Sequence, residues 1–281
     1  MNAQIHNVKD IYIENRENIF GKIGIETENS ILQRQQQTSI KNPRRRRIAG
    51  RTSKGDGMSK EIKARSKAHT RYYLKNETMV VGTTTVTGLE GGDKTWFLCV
   101  WANGLGLDGY DYKKYMDNVS NLGTLVHYLC LDCRLGGEKP ILDNYTPNEV
   151  KESKTSVVKF EKWLDNQKNF KPILIEKPLV SEKYGFGGTI DLYCELNGEK
   201  VLIDLKTSNA CREGHKVQSC AYEQLLLENG YQVDDVKILR VGRKRSEGFE
   251  ILDIVQRDLR WQKFKHLLEI YKLNRELKKG A

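Results

Sequence analysis

Gly188-Thr189-Ile190-Asp191-Leu192-Tyr193 and Val201-Leu202-Ile203-Asp204-Leu205-Lys206-Thr207-Ser208 are two arms of alternating apolar and polar residues that lead into and out of Asn197-Gly198. Asn-Gly is the dipeptide that most readily supplies the two positive φ angles of a tight turn, so the spacing predicts an antiparallel hairpin. A two-residue turn pairs Leu196 with Glu199, and every facing pair then keeps the same sum of residue numbers. Asp191 falls opposite Asp204. On one face Ile190, Leu192 and Cys194 meet Leu205, Ile203 and Val201, an apolar side. The other face presents Thr189, Asp191 and Tyr193 against Lys206, Asp204 and Leu202. Like charges set directly opposite destabilise a strand pair by up to about 1 kcal/mol, so two facing carboxylates ask for a cation. Lys206, diagonal to Asp191, is a partial answer. A divalent ion is the fuller one, because hard oxygen ligands on rigid strands suit Mg²⁺ or Mn²⁺. The plainer alternative is a solvated strand face with an ordinary Asp-Lys pair. The facing Asp and the Gly187-Gly188 lead-in weigh against it.

Outward from the hairpin, Pro172 to Val180 reads as a strand feeding into it. Upstream, Pro147 to about Gln167 has the apolar spacing of an amphipathic helix through Val150, Val157, Phe160, Trp163 and Leu164. Tyr110 to about Leu135 reads as one long helix or two. Within it Gly123-Thr124-Leu125-Val126-His127 sets a single His in an apolar segment, which by itself is more often a hydrogen-bonded core residue than a ligand. Thr78 to Val86 is rich in β-formers, and a helix is expected from about Lys94 to Ala102. There Trp96 and Trp101 fit a core or a groove wall better than a nucleobase stack.

Downstream, Gly214 to Asn229-Gly230 is a helix with a clear C-terminal stop, and Gln218 and Tyr222 sit four apart on one of its faces. Strands at Val236 to Val241 and Phe249 to Val255 follow, joined by the basic loop Arg243-Lys244-Arg245-Ser246. A last amphipathic helix runs from about Arg257 to Leu277. This order predicts an α/β sandwich on a mixed central sheet flanked by helices.

The 281-residue chain carries 47 Lys/Arg and 37 Asp/Glu. The excess is local: residues 1 to 75 hold 17 Lys/Arg against 7 Asp/Glu, and the remainder is neutral. Residues 1–57, with Gln33 to Gln37 and Pro43-Arg44-Arg45-Arg46-Arg47, read as a basic, disordered arm with a short strand near Ile11 to Ile13. Such an arm suits a polyanion, nucleic acid before membrane. Met58 is an alternative start, which would make the arm dispensable. Residues 58–281 form the folded domain. No apolar run is long enough to span a bilayer and the N-terminus lacks the apolar core of a signal peptide, so a cytoplasmic protein is expected, or one of a host's cytoplasm if phage-encoded. The six cysteines do not form a secreted disulfide framework. Cys130 and Cys133 have metal-like spacing but no second pair to complete a zinc site, so they read as buried helix cysteines.

The sequence G-T-I-D at 188 to 191, a short hairpin, I-D-L-K-T-S at 203 to 208, a helix bearing Gln218-x-x-x-Tyr222, and Gly123-Thr-x-x-His127 upstream together resemble the PD-(D/E)XK nuclease superfamily, in its RecB-like and phage exonuclease branch. The resemblance covers roughly residues 78 to 256. It implies a restriction-endonuclease-like core and a metal-dependent deoxyribonuclease. Asp191 and Asp204 would be metal ligands, joined by the Leu205 carbonyl and by His127, whose nitrogen would favour Mn²⁺ over Mg²⁺. Lys206 would position or activate the attacking water and help neutralise the scissile phosphate. Gln218, Tyr222 and Thr207 would face the substrate. Glu176 resembles the family's strand carboxylate and enters only as a supporting residue; its plainer reading is a surface Glu paired with Lys177 or Lys183. Some members of the branch bind an iron-sulfur cluster through cysteines near the C-terminus. None follows Cys220, so no cluster is expected.

The expected substrate is DNA, duplex or single-stranded, with a recombinase, single-strand annealing or helicase partner, or self-association, within the range of the resemblance and no membrane partner. Exonuclease action in recombination, repair or phage DNA processing leads. Two other readings stay open: a nucleic-acid-binding protein on a degenerate nuclease scaffold, and a structure-specific or RNA endonuclease.

Overall fold

The computed structural model describes residues 70–90 and 94–279. In chain order the elements are β1 (Tyr72–Tyr73), β2 (Met79–Gly82), α1 (Thr83–Thr87), α2 (Lys94–Leu107), α3 (Tyr112–His127), a π-helical turn (Tyr128–Cys133), α4 (Pro147–Asp165), β3 (Phe170–Ser181), β4 (Phe186–Leu196), β5 (Glu199–Lys206), α5 (Glu213–Glu228), β6 (Asp235–Val241), a 3-10 turn (Arg245–Glu247), β7 (Phe249–Asp253) and α6 (Arg257–Lys279). The expected arm at 1–57, its short strand at Ile11 to Ile13 and its arginine run lie outside the described residues.

The hairpin forms at the expected turn. Asn197 and Gly198 have φ of 53° and 91°, and Leu196 stands opposite Glu199. Around it the strands build a seven-stranded mixed sheet in the order β1-β2-β4-β5-β6-β7, with β3 paired along the other side of β4. β5 and β6 are parallel and joined through α5, the crossover that a parallel pair requires. β4 is therefore central, and almost every residue of it is buried. This is the α/β architecture expected of the sequence, a mixed sheet with helices on both faces.

Two cores follow from the two faces. On one, Leu125, Val126 and Leu129 with Phe160, Trp163 and Leu164 pack on Leu192, Cys194, Val201, Ile203 and Leu205. On the other, Val217, Ala221, Tyr222 and Leu225 with Phe264 and Leu268 pack on Ile190, Tyr193, Leu202, Val236 and Ile238. The helix ends explain themselves locally. Thr146 and Glu149 form a reciprocal capping box with Pro147 in the first turn of α4, and Gly230, at φ 84°, follows the end of α5.

Residues 83 to 86 correct the sequence reading. Their threonines and valine favour a strand, yet they form α1. β2 meets β4 over only two residue pairs, Val81 with Phe186 and Gly82 with Gly187. Thr83 Oγ1 then donates to the Gly187 carbonyl at 2.8 Å, and Val86 is fully buried in the α5 core. That burial outweighs a strand preference worth at most about 1 kcal/mol. On the α2–α3 corner Trp101 packs edge-on against Tyr112 and Tyr115 while staying 38% exposed, closer to a groove wall than to core. Cys130 and Cys133 lie buried in the π turn, where burial raises the Cys133 thiol to about 11. No helix among the described residues is long and apolar enough to cross a membrane.

The sheet also needs close backbone approach at Gly188. A Cβ there would stand 2.5 Å from the Tyr222 ring and 2.8 Å from Thr83 Oγ1. Gly188→Ala is expected to cost about 1–3 kcal/mol through overpacking, read as a lower urea midpoint with an unchanged slope.

Candidate active site

Ile190 departs from the hairpin pattern, and the departure builds the site. Strict alternation puts it on the face of Leu192 and Cys194. Instead it packs with Tyr193 and Leu202 on the α5 side, while Leu192 and Cys194 face α3 and α4. The alternation slips at Asp191. β3 slips at the same level: Leu174 and Leu179, of opposite parity, both face the α5 side. Between them Glu176 has φ +46°, a conformation uncommon outside glycine. It lies between the pairs Ile175 with Leu192 and Lys177 with Ile190, level with Asp191. Two facing carboxylate residues thus break the alternation of faces together, one on each of two adjacent strands that stay in register at that level.

The β4–β5 ladder also ends early. Its last pair is Leu192 with Ile203, one step short of Asp191 and Asp204. In place of a backbone bond, the Leu205 N–H donates to Asp191 Oδ2 at 2.9 Å. The strands part where the two aspartates arrive, and this opening admits a third element. His127 is the last residue of α3, at the start of the π turn, a helical irregularity frequent at functional sites. Its Nδ1 stands 3.3 Å from Glu176 Oε1 and 3.7 Å from Asp191 Oδ1. Ligand atoms of His127, Glu176 and Asp191 all lie within 4.8 Å of one another, a set able to hold a metal ion.

Asp204 is adjacent and outside that set. It is fully buried, with Lys206 Nζ 2.6 Å from Oδ2. Apart from that ion pair, no hydrogen bond reaches either carboxylate oxygen among the described residues. A buried carboxylate with unused lone pairs is costly unless a cation completes it. Together with two oxygen donors and one imidazole nitrogen alongside, this fits a hard divalent ion.

The electrostatics are those of crowded acids sharing limited positive charge. Burial, the neighbouring Asp204 and Glu176 carboxylates raise Asp191 to about 6, against the opposing pull of His127 and Lys206. For His127 burial acts downward, but Asp191 and Glu176 outweigh it and the imidazole is raised. Lys206 is desolvated too, yet Asp204 and Asp191 hold its ammonium charged and raise it. A metal entering this site must displace protons from Asp191 and His127. Mn²⁺ affinity, measured by calorimetric titration, is therefore expected to strengthen about a hundredfold per pH unit below about 6, where both groups carry a proton, and about tenfold per unit above it until the imidazole is neutral.

The remaining site residues take distinct places. Gln218 Nε2 donates to Tyr222 Oη at 3.0 Å and to Thr84 Oγ1 at 2.9 Å. Burial raises the Tyr222 phenol well above its usual range, and the Asp191 and Asp204 carboxylates add to this. Thr207 lies against α3 beside Gly123, one turn before His127; a Cβ on that glycine would stand 3.3 Å from Thr207 Oγ1. Leu205 has its side chain in the α3–α4 core and its N–H on Asp191. Glu176, taken from the sequence as a supporting residue with a surface alternative, faces inward and is only 12% exposed. Its sequence carries no signal for this, since a positive φ at Glu has no local signature. Sequence reading missed Tyr72, whose Oη is 3.0 Å from Thr189 Oγ1, and Thr84.

No family model matches the chain. No curated protein matches it either. Among solved structures, a protein from Eubacterium rectale provisionally described as an exonuclease superposes over 54% of this chain with TM-score 0.39 and 12% identity; the match spans 65% of that protein. The protein SSO0001 superposes over 52% of this chain and 68% of its own, with TM-score 0.26 and 16% identity. Likeness at these scores carries no weight for function, so chemistry must come from the side chains.

Proposed function

We propose that this protein is a metal-dependent nuclease that hydrolyses phosphodiester bonds, with DNA as substrate and exonuclease action favoured over endonuclease. The observation that carries the reading is the meeting of His127, Glu176 and Asp191 beside a buried Asp204–Lys206 pair, at a point where three elements all depart from regular geometry. Phosphodiesters resist hydrolysis because an anion must be attacked by water or hydroxide, and cations at the reacting phosphate remove that obstacle.

His127, Glu176 and Asp191 would hold Mg²⁺ or Mn²⁺, with Asp204 at the margin. When bound, such an ion supplies charge to the phosphate and lowers the pKa of a coordinated water. Lys206 contributes fixed positive charge. With its ammonium held protonated by Asp204 and Asp191, it is suited to donate to a phosphate oxygen or to orient the attacking water rather than to accept a proton. Tyr222, kept as a neutral phenol, accepts from Gln218 and is hydrogen-bonded to Thr84, and this network would shape the substrate side of the site.

The test is a divalent-ion titration on end-labelled linear DNA beside a covalently closed circle and an RNA of the same length. Ion-dependent release of label from linear DNA with the circle intact is the expected result. Cutting of the circle makes the enzyme an endonuclease, and preference for RNA changes the substrate. Salt-sensitive binding with no cleavage under any divalent ion would leave only a binding protein on a nuclease scaffold.

A further inference from the structure

The β6–β7 loop carries three consecutive cations, Arg243, Lys244 and Arg245. Its position follows from topology. β5 and β6 are parallel, with Lys206 level with Arg240. The loop therefore leaves the sheet at the same end as Lys206, one strand over, and neighbouring strands are only about 4.8 Å apart.

The loop is braced from within. Lys159 Nζ on α4 donates to the carbonyls of Gly242 and Lys244, both at 2.8 Å. Ser156 Oγ donates to the carbonyls of Val241 and Gly242 at 3.0 and 3.2 Å. Glu247 Oε2 accepts from the amides of Arg243 and Lys244 at 2.6 and 3.2 Å. Two of the nearby cations are already occupied: Arg240 pairs with Glu250 at 2.8 Å, and Arg243 stands 3.8 Å from Glu247. Lys244 and Arg245 are different. Both are exposed, and neither forms an ion pair among the described residues.

Two unneutralised cations on a fixed loop beside a buried, negatively charged centre attract a polyanion that must reach that centre. We propose that Lys244 and Arg245 are a backbone clamp, holding phosphates of the substrate nucleic acid next to the cleavage site without reading sequence. The clamp is assigned to phosphate rather than bases because its groups are point and fork cations on a short surface turn, and the β6–β7 pair behind it is the edge of the sheet rather than a free ribbon that could enter a groove. This inference rests on the nuclease reading given above.

The test uses the full chain in EDTA, without divalent ion, so that labelled duplex DNA survives, with anisotropy measured between about 50 and 200 mM salt. Adding Lys244→Ala and Arg245→Ala is expected to weaken binding about tenfold at the lower salt and to reduce the slope of log K against log salt by about 2, one unit for each lost phosphate contact. Lys244→Arg with Arg245→Lys should restore both quantities. Unchanged affinity and slope in the double Ala variant would overturn the clamp. Cleavage by the parent chain is scored separately. If the parent cuts DNA and the double variant binds as before, only the clamp fails. If the parent never cuts but the double variant loses affinity and slope, the nuclease reading fails and the clamp stands as a binding site.

Discussion

Lys206→Ala is expected to reduce ion-dependent DNA cleavage by about a thousandfold or more, the scale on which removing one preorganised charge-stabilising donor acts. The reason is placement as much as charge. Lys206 Nζ is 2.6 Å from a fully buried carboxylate that no other group among the described residues hydrogen-bonds. Removing it strips positive charge from the reacting region and leaves Asp204 uncompensated, and breaking such a buried pair costs about 3–5 kcal/mol. A folding defect could then imitate a catalytic one. Lys206→Arg separates the two: it keeps a cation beside Asp204, so the fold should melt close to the parent, but its planar fork cannot reproduce a point ammonium. Activity of Lys206→Arg is expected to fall about a hundredfold or more. The measurement is label release under single-turnover conditions, with thermal melts of each variant. An Ala or Arg variant within about threefold of the parent would remove Lys206 from the mechanism.

Asp191→Asn is expected to make the ion-free protein more stable while it destroys ion binding. Asp191 is raised from 3.8 to about 6, chiefly by burial. A carboxyl whose folded-state pKa lies above its unfolded value gives stability that is complete below about 4 and lost as pH rises through about 6. At pH 7.5 that loss is in force and amounts to about 2–3 kcal/mol. Asn carries no charge at any pH and can still accept from the Leu205 N–H. The ion-free variant should therefore melt about 4–8 °C above the parent at pH 7.5, and the difference should shrink toward pH 4. Addition of Mn²⁺ reverses the order, because the parent gains binding energy on the folded side and the variant does not. Melting curves with and without Mn²⁺ at two pH values check all of this. A variant that melts below the ion-free parent at pH 7.5 would show that Asp191 does not carry the strain assigned to it.

Most of the helix and strand boundaries were legible because their determinants are local. Pro147 with the Thr146–Glu149 box starts α4, and Asn229-Gly230 stops α5. The Asn197-Gly198 turn set the register of β4 on β5 as far as Leu192 and Ile203. The failures have long-range causes. Thr83 to Val86 have strand propensity but take a helical turn because Thr83 finds the Gly187 carbonyl and Val86 finds a core pocket, both more than a hundred residues away or across the fold. Ile190 changes face because β4 follows β3 through a shared irregularity. Period-two reasoning assumes an ideal pleat, and the pleat breaks at the site.

By itself the sequence determined the hairpin, the order of elements and the identity of the acids and the lysine near one another, since turn chemistry, periodicity and spacing act over a few residues. Only the tertiary structure decided that Glu176 faces His127 and Asp191, that the strands part at the level of Asp191, and that Asp204 stands apart with Lys206. Those arrangements depend on β3, β4 and α3 meeting at one point, and such meetings are fixed by packing between distant segments.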